Sequence, residues 1–140
     1  MKKTVKTLLI VLFVLVSAIS CVKDDPDGKW AKMKWQVPSS LVQVQEGIYQ
    51  IPTSGGSFTL ICENYKPWIS SLTEIGSHVS KEYPGPCDSL QGEWCSVKCE
   101  KNDVIITFSP LADDDVHQFE ITFTAGDIFH TLRFVQQHRL

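Results

Sequence analysis

Cys62, Cys87, Cys95 and Cys99 are the side chains with the sharpest chemistry in this sequence, because a thiol can bridge to another thiol, ligate a metal or act as a nucleophile. If Cys95 and Cys99 share a strand, four residues at ~3.3 Å each separate their Cα atoms by ~13 Å. A disulfide reaches only ~7 Å, so these two cannot bridge one another. Two pairings remain: Cys62 with Cys95 and Cys87 with Cys99, or Cys62 with Cys99 and Cys87 with Cys95. The second is preferred, because Cys87 and Cys95 then close a short loop. Four thiols in a chain bound for an oxidising compartment favour disulfides over zinc, and only Cys95 and Cys99 have a ligand-like local spacing. The bland alternative is a set of buried thiols packing as small hydrophobes.

Other reactive patterns are missing. His78, His117, His130 and His138 are scattered, and neither Gly-x-Ser-x-Gly nor His-Glu-x-x-His occurs. Ser57 follows Gly55-Gly56, but without the lysine of a phosphate loop this is turn chemistry. Asp113-Asp114-Asp115 lacks the ligand spacing of a calcium loop and reads as a solvated turn. The chain is therefore expected to be no enzyme and to need no metal or cofactor. Binding is the remaining chemistry. Sugars stack their C–H faces on exposed aromatic rings while amides and carboxylates take the hydroxyls. Tyr65 beside Asn64 and Tyr83 beside Glu82, both expected in loops, are the candidates for such a platform, whereas Trp68 and Trp94 are assigned to the core.

The elements that position these residues read as strands. Gln118 to Thr124 alternates Phe119, Ile121 and Phe123 against polar neighbours, and Ser57 to Glu63 alternates after a Ser54-Gly55-Gly56 turn. Trp94 to Cys99 and Val104 to Phe108 flank a Glu100-to-Asp103 turn, and Ala125-Gly126-Asp127 leads into Ile128 to Gln136. With Leu41 to Gln45 and Trp68 to Leu72 the count is about seven, and no segment sustains a helical period. Seven short strands in some 100 residues predict an all-β, two-sheet sandwich. Gly76 to Gly92, rich in Ser, Pro and Gly, is expected to be a long loop.

Met1 to Ser20 runs from lysines through the apolar stretch Leu8 to Val16 to Ser17-Ala18-Ile19-Ser20, the order of a secretory signal. Nine apolar residues fall short of the ~20 that span a bilayer. Removing Lys2, Lys3 and Lys6 with this leader leaves 10 basic against 16 acidic residues, a charge near −6. Such a surface excludes an electrostatic grip on nucleic acid. Cys21, directly after Ala18-Ile19-Ser20, resembles the lipobox cysteine of bacterial lipoproteins, which implies lipidation there and a membrane anchor. Val22 to Asp27 looks like the acidic surface-export tag of some anaerobic Gram-negative lineages. Asp88-Ser89-Leu90 is similar to an O-glycosylation motif of the same lineages, with Ser89 as acceptor.

Gly55-Gly56-Ser57, Asn64 to Trp68, Trp94 and the closing Phe134-Val135-Gln136 together resemble the BACON domain, an immunoglobulin-like sandwich of gut bacterial lipoproteins. The resemblance covers about residues 36 to 137. It implies a carbohydrate-associated binding or spacer module without catalytic residues, expected here without the attached enzyme domain usual for the family. The expected organisation is a signal peptide over 1–20, a lipidated cysteine and tether over 21–35, and an immunoglobulin-like sandwich over 36–140. The expected protein is an outer-membrane lipoprotein, exposed at the cell surface or on the periplasmic face. Its partner would be a glycan or host glycoprotein. The competing expectation is a structural or assembly subunit docking on other envelope proteins.

Overall fold

The computed structural model describes residues 30–112 and 114–138. The chain divides into two compact units, 1–31 and 32–140, and every described strand belongs to the second. The expected leader, Cys21 and the acidic segment through Asp27 lie outside the described residues, as does Asp113.

The described chain is built from strands in the order β1 (Trp35–Gln36), β2 (Val42–Gln45), β3 (Ile48–Ile51), β4 (Gly56–Cys62), β5 (Trp68–Ile75), β6 (Ser80–Cys87), β7 (Ser89–Gln91), β8 (Cys95–Glu100), β9 (Asp103–Phe108), β10 (His117–Ala125) and β11 (Ile128–Gln136). They form a two-sheet immunoglobulin-like sandwich. One sheet has five strands in the order β1-β4-β9-β8-β7 and the other six in the order β2-β3-β11-β10-β5-β6. Neighbours run antiparallel except β11 and β3, which pair in parallel from Arg133 opposite Ile48 to Gln136 opposite Ile51.

Period-2 alternation decides which face each strand buries. From the five-stranded sheet, Leu60, Val97, Val104, Ile106 and Phe108 point inward; from the other come Ile69, Leu72, Phe119, Ile121, Phe123, Leu132 and Phe134. Phe108 sits at the junction, its ring centroid 5.0 Å from Phe119 and 5.3 Å from Phe134. The turns follow their chemistry. Lys101 adopts φ 58 between β8 and β9, and Gly126 adopts φ 65 between β10 and β11. Gly55, at φ 70 ahead of β4, lies so close to Ser109 and Phe108 that a Cβ would stand 2.3 Å from the Phe108 carbonyl oxygen. Only glycine satisfies both the dihedral and the contact.

Two departures from the sequence reading matter for the site. Residues 76–92 are not one long loop: they hold β6 and β7. The alternation is present there, with Tyr83, Gly85 and Cys87 half-buried between exposed Glu82, Pro84 and Pro86, but glycine and proline disguise it. Prolines are tolerated because β6 is the outermost strand of its sheet. The second departure is in β5, where the register slips between Ile69 and Ser71 against β6 and at Thr122/Phe123 against β10. Ser70 is the extra residue of a bulge, and it reverses the facing of everything before it.

Candidate functional site

Because of that bulge, Trp68 does not join the core. Ile69 is fully buried, and Trp68 beside it stands on the outer face of the six-stranded sheet with 60% of its surface exposed. Thr124 is its cross-strand partner on β10, and the same Thr124 faces Phe129 on β11. Phe129 is 61% exposed. Two large aromatic side chains thus flank a threonine in one row across three strands, and Pro86 of β6 extends that row beside Trp68, where both line one hollow.

The row borders hydroxyls. Ser70 lies next to Trp68 in the hollow, and one step along the sheet Thr122 and Thr131 share a hydrogen bond of 2.8 Å. Further along, Arg133 Nε donates to Glu120 Oε1 at 3.2 Å, so the charged pair of this face sits away from the aromatic end and neutralises itself. Two open hollows adjoin the row. One, of about 380 Å³, lies among Trp68, Ser70, Thr124 and Phe129; the other, of about 330 Å³, lies among Trp68, Pro86, Cys87 and Asp88. Aromatic faces beside uncharged hydroxyls can stack and hydrogen-bond a polyhydroxylated ligand without any ionised group.

The residues singled out in the sequence are placed elsewhere. Tyr83 is a strand residue of β6, half-buried against the core, with its hydroxyl directed at Glu74 Oε2 at 3.4 Å. Tyr65 is likewise half-buried against the core, and its carbonyl accepts a 2.9 Å bond from Asn102 Nδ2. Asn64 is structural: its Oδ1 accepts from the Lys34 N–H at 2.9 Å and its Nδ2 donates to the Lys32 carbonyl at 2.8 Å. Glu82 is exposed on β6 while Tyr83 next to it packs against the core, so the expected tyrosine platform does not assemble. Ser89 is exposed at the start of edge strand β7 and not in a loop.

Trp94, expected in the core, packs against it half-buried and stacks on His117 with centroids 3.8 Å apart. Asp115 does not sit in the solvated turn expected of it but ties to Ser77, accepting from the Ser77 backbone N–H at 3.2 Å, from the Ser77 hydroxyl, and from the Val116 N–H at 2.8 Å. The Ser77 hydroxyl bond is the first cause holding its carboxyl below the usual carboxylate range.

The four described cysteines are free thiols. Cys95 is opposite Phe108 at one end of β8, whereas Cys99 is opposite Val104 at the other. Cys62 sits at the Cys99 end, its N–H bonded to the Asn102 carbonyl at 2.9 Å, and the Asp88 carbonyl next to Cys87 accepts the Cys99 N–H at 2.7 Å. Both expected two-bridge pairings assign Cys95 to Cys62 or Cys87, and the register keeps it from either. Burial pushes the Cys99 thiol up to about 12 and pushes the Cys95 thiol up as well. These are packing thiols in this state. No cluster of three metal-ligating side chains occurs among the described residues.

Sequence reasoning missed Glu74, Trp68 and Phe129. Glu74 is 1% exposed, and its carboxylate accepts backbone N–H bonds from Glu93, Trp94 and Cys95 at 3.0, 2.9 and 2.8 Å. It ties the corner between β7 and β8 to β5. Phe129 was legible, since it has the parity opposite to Ile128, Leu132 and Phe134. Trp68 was not, since its parity with Leu72 is reversed by the bulge.

The frame is an immunoglobulin-like β-sandwich that carries an outward aromatic row on its six-stranded sheet. The chain belongs to the same family as a Bacteroides thetaiotaomicron protein solved by NMR, to which it is 31% identical over 85% of this chain and 98% of that one, with a TM-score of 0.66. No protein-family model matches the sequence. No curated protein matches it either.

Proposed function

We propose that this protein is a non-catalytic, lipid-anchored envelope protein of the BACON type that binds glycan or glycoprotein outside the cytoplasm, at the cell surface or on the periplasmic face. The observation that carries the binding reading is the pair Trp68 and Phe129, held more than half exposed on either side of Thr124 on one sheet face. An indole left in water on a rigid strand forgoes about 2 kcal/mol of burial, which a ligand recovers on stacking. The strands fix both rings before the ligand arrives, so little side-chain entropy is lost on binding. The anchor rests on the signal-like leader and on Cys21, whose position matches a lipobox.

Affinity electrophoresis against a polysaccharide panel tests the reading. Wild-type protein is expected to be retarded by at least one glycan, and Trp68→Ala to lose that retardation by about tenfold in affinity while keeping its thermal midpoint. Tyr65→Ala and Tyr83→Ala are expected to lower the midpoint and leave affinity unchanged. Retardation that survives Trp68→Ala overturns the assignment.

A second reading, an assembly subunit docking on another envelope protein, is favoured by β2. This edge strand exposes Val42 at 57% and Val44 at 48% and offers an unpaired ladder. Co-purification of an envelope protein that is lost on Val44→Lys, together with no glycan retardation, would favour it.

A further inference from the structure

Two hollows share one wall. Trp68 and Pro86 line both, with Thr124 and Phe129 on one side and Cys87 and Asp88 on the other. Trp68 is therefore a ridge with a hollow on each flank, and both hollows open to solvent. A pocket that received a chain end or a single sugar would be closed on one side and would bury most of its ligand. The distance across the row points the same way. Trp68 and Phe129 both stand opposite Thr124, two strand spacings apart, which is about 10 Å at ~4.8 Å per step. One pyranose ring cannot stack on both.

The charge around the row selects among glycans. Ser70, Thr124, Gly126 and Pro86 are uncharged, and the one ionisable side chain that lines the hollows apart from the Cys87 thiol, among the described residues, is the carboxyl of exposed Asp88. Asp127 adds a second exposed carboxyl in the β10–β11 turn. The Arg133 guanidinium on this face is engaged by Glu120. A glycan bearing carboxylates or sulfates would meet like charge and find no cation lining the hollows to pair with. The apolar part of the face is also small, two rings and a proline, far below the ~800 Å² that each partner contributes to a standard protein interface.

We infer that the row Phe129–Thr124–Trp68–Asp88 binds the interior of a linear, uncharged glycan laid across the strands, with at least three successive sugar rings engaged. One ring rests on Phe129, the next crosses Thr124, the third lies against Trp68, and a fourth reaches the hollow at Asp88, where the carboxylate accepts sugar hydroxyls. This rests on the glycan-binding reading above and goes past it in naming charge class, chain length and path.

The test uses the whole processed protein with soluble neutral polysaccharides (mixed-linkage β-glucan, galactomannan, arabinoxylan and an α-glucan) and acidic ones (polygalacturonate and chondroitin sulfate). Calorimetry then follows oligosaccharides of one, two, three and six rings cut from whichever polymer is bound. The expected result is retention by a neutral polymer, with affinity rising at least tenfold between two and three rings and levelling by six. Phe129→Ala should remove that rise and leave the disaccharide affinity within about twofold. Asp88→Asn should raise retention by the acidic polymers by about threefold. Tighter binding of acidic polymers by the unaltered protein, or a single sugar bound as well as six, would overturn the inference while leaving glycan binding standing. Binding to none of the polymers would overturn both.

Discussion

Glu74 is the residue on which local order depends most. Its buried carboxylate satisfies three successive backbone donors at Glu93, Trp94 and Cys95, the last of them buried. Glu74→Ala strands those donors, and a chemical-denaturation midpoint should fall by about 3 kcal/mol or more in stability. Glu74→Gln keeps one acceptor oxygen and should lose less. His130 gives a second test. Burial, then the nearby Lys32 charge, holds its pKa below the ordinary 6.5, and the ring lies 6.1 Å from that of Trp35. The folded state thus takes up its proton later than the unfolded chain, so the stability His130 contributes is present above pH 6.5 and is lost as pH falls below it. Thermal midpoints measured from about pH 7.5 to 5 should drop for the wild type and drop less for His130→Gln. A steeper fall in the variant would contradict this account.

At the scale of elements, the Ser70 bulge decides whether the protein has an aromatic face at all. With regular pairing, Trp68 would share the inward facing of Leu72, and Ile69 would turn to solvent. Deleting Ser70, the unpaired residue, should by contrast leave Ile69 inward opposite Phe123 and Trp68 outward opposite Thr124, because the shortened strand then pairs regularly with β10. Tryptophan fluorescence of the deletion variant should stay where it is in the wild type, and a shift to the blue would contradict this reading of the bulge. The same element explains how much could be read in advance. Strands β4, β8, β9, β10 and β11 were legible because turn residues bound them and apolar residues recur at every second position, most cleanly in β10. Strand β6 was hidden by Pro84, Gly85 and Pro86, which an edge position tolerates, and β3 by its brevity. Tyr65 and Tyr83 looked like a platform because they neighbour polar residues in sequence, yet the fold turns both against the core. A bulge leaves no composition signal, so the facing of Trp68 could not be read from spacing.

For the whole molecule, the central claim is that the six-stranded sheet buries aromatics on its inner face to make the core and presents others on its outer face to a ligand. The far edge of that sheet, at β2, is four strands from Trp68 and offers a physically separate route to a partner. The most direct measurement follows the Trp68 indole and Phe129 ring resonances of the protein by NMR while a retained glycan is titrated. The account predicts that these two shift together and saturate together, with the Trp94 indole, stacked on His117, unmoved. Shifts confined to Val42 and Val44 on β2, or saturation with Trp68 unmoved, would contradict it.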